Sequence, residues 1–440
     1  MKRHPPAPSS AGAPGTSLLI KNVRVLDPAA GLDFVGCLGI RGGRIDYRDR
    51  PPPAAAYADV IEGDGRWVMP GLVDLCARLR EPGAEHKATM ASEAPAALAA
   101  GITALCLPPD TRPAIDNAAV VARVNRIAKA AGGAFVYTLG ALTQGLRGTA
   151  LAEMSALKQA GVVGVSNAAA PLDNARVARR ALEYAAGLEL TVHVLALEAS
   201  LAAGGVAHEG PVATRLGLPA IPVAAETTAI RQWLSLVEDT GARVHFGRLA
   251  SARAVALIES AKARGLPVSA DVAAHQLFLT EADLEDFNAM AHVIPPPRSA
   301  ADREVLRAAL ATGVIDAVCS DHQPHEADAK INPLPLTEPG ISALETLLPL
   351  TLSLVEEGGL GPLAAAARLS AAPARILGIA GGSLAPGAVA DLVLIDPRAR
   401  RRLDARHWRS AGHNTPFFGY RLPAPPLGVW RAGMPALVYS

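Results

Sequence analysis

Trp67-Val68-Met69-Pro70-Gly71-Leu72-Val73-Asp74-Leu75-Cys76-Ala77-Arg78-Leu79-Arg80 decides the reading of the fold, because an apolar run of strand character ends here in polar side chains. Seven further strand-like runs follow: Ile102 to Leu107, Phe135 to Leu142, Val162 to Val165, Leu190 to Leu197, Arg243 to Leu249, Val268 to Val272 and Ala317 to Cys319. Between them lie Ala-rich stretches of helical period, such as Asn174 to Ala186 and Ser251 to Arg264, the latter closed by Gly265. Parallel strands need crossover helices, and eight alternations in about 300 residues are what an α/β fold of the (β/α)₈ TIM-type barrel requires. A doubly wound open sheet is the runner-up. No G-x-G-x-x-G follows the first strand, which argues against a dinucleotide site.

Outside this alternation the pattern changes. Leu18 to Leu26 and Gly36 to Ile40 read as short strands with a turn at Gly42-Gly43, and Gly387 to Ile395 repeats that signature near the other end. A small β-domain formed from both termini is therefore expected, with the barrel inserted into it. The predicted division is a disordered tail over 1–16, β-domain over 17–69, barrel over 70–380 and β-domain again over 381–440. The 40 Gly and 36 Pro fall between apolar segments and punctuate many short elements.

Composition narrows the function classes. Half of the residues are hydrophobic and the formal charge is +1, which excludes a disordered chain and argues against nucleic acid or an anionic membrane surface as the main partner. Apolar runs such as Leu347 to Val355 are about half the length of a membrane-spanning helix. Cys37, Cys76, Cys106 and Cys319 are too widely spread for a zinc knuckle and read as reduced thiols in a cytoplasmic protein. Barrel chemistry sits at the C-terminal ends of the strands, where the sequence offers Cys76, Arg78, Arg80, Asp110, Arg112, Asn167, His193, His245, Arg248, His275, Asp321, His322 and His325. A hydrolytic metal centre needs three or more closely spaced ligands and an open position for water. The first strand supplies no His, and the fourth neither Asp nor Lys.

Met69-Pro70-Gly71-Leu72-Val73-Asp74 followed by Leu79-Arg80-Glu81-Pro82-Gly83 resembles the opening signature of dihydroorotases, amidohydrolase-superfamily enzymes of pyrimidine biosynthesis. Thr111-Arg112-Pro113, Thr214 to Pro219, Ser320-Asp321-His322-Gln323-Pro324-His325, Pro339-Gly340-Ile341 and Gly381 to Leu384 match further motifs in order. The resemblance implies the same barrel and split β-domain. It also implies where metal ligands belong, and there the chain departs. The family's His-x-His is Cys76-Ala77-Arg78, the metal-bridging Asp falls on Asn167, and the fifth-strand His falls on Leu195. In the sixth strand the second His of H-x-x-H is Arg248. His193 lies two residues early, about 7 Å along a strand, against a metal distance of about 2 Å. Only Asp321, a metal ligand and general base in the family, is retained.

Arg78 and Arg248 would set permanent positive charge where a divalent cation belongs. Each would oppose a unit of metal charge by about 4 kcal/mol at ~4 Å in an effective dielectric near ~20. No metal or other cofactor is expected; the guanidiniums are expected to pair with Asp321, otherwise a lone buried carboxylate. The resemblance makes Arg80, Arg112 and His325 the substrate-binding positions, while Asp110 and Ile294 replace family asparagines. Beside these readings stand plainer ones: Cys76 as a small buried filler, His193 and His275 as hydrogen-bonded strand residues, and Asp321 as a structural ion pair.

Two functions follow. The resemblance implies, first, a catalytically inactive dihydroorotase-like subunit that assembles with or stabilises the catalytic subunit of aspartate transcarbamoylase, as an oligomer. The alternative is an active zinc-dependent dihydroorotase or related cyclic-amide hydrolase with a reduced metal set from Cys76, His193 or His275, and Asp321, the last shuttling the proton. A metal-free pocket holding an anionic small molecule through Arg80 and His325 is compatible with the first.

Overall fold

Short apolar strands need cover on both faces, and the helices between them supply it. In the computed structural model, which describes residues 17–49 and 57–438, eight parallel strands pair in chain order. They are β1 (Leu72–Asp74), β2 (Ile102–Leu107), β3 (Phe135–Ala141), β4 (Gly164–Ser166), β5 (Thr191–Val194), β6 (Val244–Phe246), β7 (Val268–Ala273) and β8 (Ala317–Cys319). The expected tail over 1–16 lies outside the described residues.

The ring closes just past the ends of β1 and β8. Ala77 and His322 form a parallel bridge, and the Arg78 N–H donates to His322 O at 2.9 Å. Below it the Ser320 N–H and hydroxyl both donate to the Asp74 carboxylate. Burial pushes Asp74 up to about 7 against the pull of the Ser320 donors. This seam makes the sheet a barrel and sets aside the open-sheet alternative.

Helices form where the period predicts. Asn174 caps the helix Ala175–Gly187 by accepting the N–H groups of Arg176 and Val177, and Ala178, Ala181, Leu182 and Ala185 turn its apolar stripe inward. Among the described residues no helix is long and apolar enough to cross a membrane.

The stretch Trp67 to Leu75 is two strands, not one. Trp67–Pro70 pairs with Leu392–Ile395 and with Ser17–Asp27 in the second sheet, while Leu72–Asp74 enters the barrel. The break falls at Gly71, where a Cβ would lie 2.2 Å from the Thr103 hydroxyl, so only glycine fits against β2. The second sheet joins both ends of the chain through Leu32–Arg41, Gly428–Arg431 and Met434–Val438. Between its C-terminal strands the chain leaves the sheet and returns to the barrel, where Asn414 meets the loop after β8.

Candidate functional site at the barrel mouth

Four strand-end turns hold non-glycine residues in left-handed backbone: Arg80 (φ 63°), Ala168 (φ 52°), Arg248 (φ 61°) and Asp321 (φ 47°). Two guanidiniums, those of Arg78 and Arg248, converge on the Asp321 carboxylate. Asp321 Oδ1 accepts from Arg248 Nη1 at 2.9 Å and from Arg78 Nη1 at 3.3 Å, and Oδ2 accepts from Gln323 Nε2 at 3.2 Å. Arg78 Nε also donates to Asp110 Oδ2 at 2.8 Å. Cys76 Sγ lies 3.6 Å from both Asp321 Oδ1 and Arg248 Nη1. Burial alone would raise Asp321, but Arg248 and Arg78 outweigh it and hold the carboxyl below its ordinary range. Burial likewise opposes the charge on both arginines, and the negative groups around them raise them nonetheless. The Cys76 thiol is pushed up to about 12, chiefly by burial, and is no nucleophile at neutral pH.

Asp271, in the middle of β7, anchors this cluster from below. Its Oδ1 accepts the Arg248 N–H at 2.6 Å, and its Oδ2 lies 2.9 Å from His245 Nε2, whose Nδ1 meets Ser269 Oγ at 2.9 Å. His245, the remaining residue of the sixth-strand motif, is thus committed to Asp271. Sequence reasoning passed over Asp271; its signal is a carboxylate within an apolar strand run.

The expected substrate contacts divide. Arg80 and His325 come together, with Arg80 Nη2 3.0 Å from His325 Nε2 and Arg80 Nε donating to Pro324 O at 2.9 Å. Burial and Arg78 lower Arg80 to about 10. His325 Nδ1 lies 3.0 Å from Lys87 Nζ and accepts from it, so Nε2 carries the proton and donates to Pro339 O at 3.1 Å, which leaves the nearby Arg80 Nη2 against an N–H and not hydrogen-bonded to the ring. Burial, then Arg80 and Lys87, lower it to about 2. Asn414 fixes this turn, accepting the His325 N–H at 2.9 Å and donating to Gln323 O and Gly340 O. Being far away in the chain, it had no local signal. Arg112 does not join the group: it is exposed, and its backbone N–H donates to Pro82 O.

On the β4 and β5 side the positions that correspond to metal ligands in the family, Asn167 and Leu195, carry no charge. Asn167 is locked between two loops, its Oδ1 accepting from Thr143 Oγ1 after β3 at 2.7 Å and its Nδ2 donating to the carbonyls of Ala170 and Pro171 in its own loop at 3.2 Å. Leu195 follows β5 and lines a cleft with His193. The expectation that His193 and His275 are hydrogen-bonded is not met: His193 Nε2 and His275 Nδ1 are buried without a partner among the described residues. Burial lowers His275 to about 4 and holds His193 well below the ordinary histidine range.

Among the described residues no three His, Cys, Asp or Glu side chains come together to hold a metal ion. Cys76 and Asp321 adjoin, but the Arg248 guanidinium already lies against both, and that of Arg78 against Asp321 as well. The donor set does not fit zinc.

Residues 65–253 match the family model described as dihydro-orotase-like. The chain is 48% identical over 407 residues to the dihydroorotase-like protein of Pseudomonas aeruginosa, covering 92% of this chain and 96% of that one. It is 43% identical over 409 residues to the dihydroorotase of Anaeromyxobacter dehalogenans, covering 92% and 94%. In fold it is similar to the L-hydantoinase (dihydropyrimidinase) from Arthrobacter aurescens, with a TM-score of 0.87 at 22% identity over 97% of both chains. Motif order, barrel with split β-domain, and full-length similarity agree: the chain belongs to the dihydroorotase-like amidohydrolase family.

Proposed function

We propose that this chain is a catalytically inactive member of its family, a cytoplasmic subunit that assembles with and stabilises aspartate transcarbamoylase as an oligomer. The observation that carries this reading is the bonding of Arg248 and Arg78 to Asp321 Oδ1 at 2.9 and 3.3 Å. A carboxylate neutralised by two fixed cations is a poor proton shuttle and a poor metal ligand, so neither role expected of an active enzyme is open to it. The mouth keeps a capacity for an anionic small molecule, since the half-buried guanidinium of Arg80 rests on the Pro324 carbonyl beside the His325 ring, and among the described residues no carboxylate is ion-paired to it.

The test is purification without chelator, alone and with the transcarbamoylase, followed by metal analysis, a dihydroorotate hydrolysis assay and size measurement of both samples. The reading expects no stoichiometric metal, no turnover, an unfolding midpoint unchanged by chelator, and co-elution with the partner. Turnover abolished by Asp321→Ala together with bound zinc would establish the reduced-metal hydrolase instead, and failure to co-elute would remove the scaffold role.

A further inference from the structure

The strand Arg400–Arg402 and its partner Arg421–Pro423 form an arm that lies against the helix Leu344–Glu356 on the outside of the barrel. The arm is pinned at both ends of that helix. Arg400 pairs with Glu356, and the N–H groups of Arg409 and Ser410 donate to Glu345 Oε1 at 2.7 and 3.1 Å. These anchors stand about 16 Å apart along the helix. Between them is a cleft of about 610 Å³, walled by Pro349, Leu403, Leu422, Pro423, Pro425 and Pro426, with Ala99 reaching it from the helix Met90–Ala99. None of the residues assigned to the barrel mouth lines it. A small-molecule site has this size and apolar character, and it also needs a few unspent polar groups to orient its ligand.

Charge decides the class of ligand. Most polar groups of the cleft are engaged: Trp408 Nε1 donates to Gly412 O at 2.7 Å, Asp404 Oδ1 accepts the Arg406 N–H and lies 2.9 Å from His407 Nδ1, and Glu345 holds its two N–H groups. The guanidiniums of Arg401, half-buried, and Arg406, at the exposed rim, remain; neither makes a hydrogen bond or ion pair to a described residue. With Arg409, three guanidiniums stand against the two carboxylates of Glu345 and Asp404, so the cleft favours an anion. A guanidinium fork matches a carboxylate in shape as well as in charge. Four of the walls are rigid proline rings, which suit a flat apolar body.

We propose that this cleft binds a small amphipathic carboxylate, its flat apolar body against Pro349, Leu403 and Leu422 and its carboxylate on Arg401 and Arg406. The site is separate from the mouth and does not depend on whether the mouth is catalytic.

The test titrates the full chain with naphthoate, and with naphthamide as its neutral counterpart, read by ligand-observed NMR. Naphthoate should bind saturably, and naphthamide at least about tenfold more weakly. Hydrogen exchange locates the site: saturating naphthoate should protect residues 344–356 and 400–426. Joint Arg401→Gln and Arg406→Gln substitution should weaken naphthoate by about tenfold or more and leave naphthamide unchanged, whereas Ala99→Trp, which fills the cleft, should weaken both. Circular dichroism checks both folds, and the double arginine variant decides if Ala99→Trp fails to fold. Absence of saturable naphthoate binding, naphthamide binding as tight as naphthoate, protection confined to the mouth loop 321–341, or affinity unchanged in the folded variants would overturn the proposal.

Discussion

The two flanks of this barrel mouth resolve the same electrostatic problem in opposite ways. Around β1, β6 and β8 a buried carboxylate persists, and two guanidiniums surround it. Around β4 and β5 the corresponding positions are Asn167, bonded to Thr143 after β3 and within its own loop, and Leu195, which needs no partner. An acid left in a dry site demands a cation, because an isolated buried charge is among the costliest arrangements a fold can contain. A wall without the acid makes no such demand and can stay open as a cleft.

Acid should load both flanks together and give the largest effect. His193, His275, His292 and His325 are all depressed by burial, two of them to about 4 and His325 to about 2. Their folded values lie below the unfolded value of 6.5, so the unfolded chain binds more protons and stability is lost as pH falls below 6.5. At about 1.4 kcal/mol per unit, the four together should cost roughly 5 kcal/mol between pH ~7 and ~5.5. Urea unfolding at both pH values measures this, and a flat profile would mean that the rings find partners.

Next comes Asp321→Ala, which strands Arg248 and leaves Arg78 only Asp110. Removing one partner of a buried ion cluster should cost about 3–5 kcal/mol. Asn167→Ala, on the uncharged flank, leaves the Thr143 hydroxyl and two carbonyls without their partner and should cost roughly 1–3 kcal/mol. Both are read by denaturant midpoint at pH ~7. Equal losses would erase the distinction between the flanks.

How much of this could be read beforehand depends on whether the cause is local. The strands were legible because eight apolar runs alternate with helical stretches, and the positions of Arg78, Arg248 and Asp321 followed from motif register. The break at Gly71 was not, because it is imposed by Thr103 on the neighbouring strand. The seam between Asp74 and Ser320 joins residues at opposite ends of the barrel. Asn414 acts on a turn reached only after the chain has left and re-entered the barrel. Whether a buried histidine has a partner is likewise a property of its neighbours in space, and for His193 and His275 the sequence pattern pointed the wrong way.

The finest form of the comparison lies between two rings whose centroids are 5.1 Å apart, His193 and His245. They stand at the same register on adjacent strands. His245 has both nitrogens engaged, by Asp271 and Ser269, while the His193 side chain has no hydrogen-bond partner among the described residues. His245→Leu should therefore leave a buried carboxylate oxygen short of its partner and cost roughly 2 kcal/mol or more. His193→Leu removes a polar ring that bonds to nothing and supplies apolar surface of similar size, so stability at pH ~7 should stay within about 0.5 kcal/mol or rise. The same substitution deletes one of the four acid-sensitive groups and should reduce the loss between pH ~7 and ~5.5 by about 1 kcal/mol. A His193→Leu variant as destabilised as His245→Leu, with an unchanged acid profile, would show that the ring is held by contacts the structure does not contain, and the boundary between the two flanks would have to be redrawn.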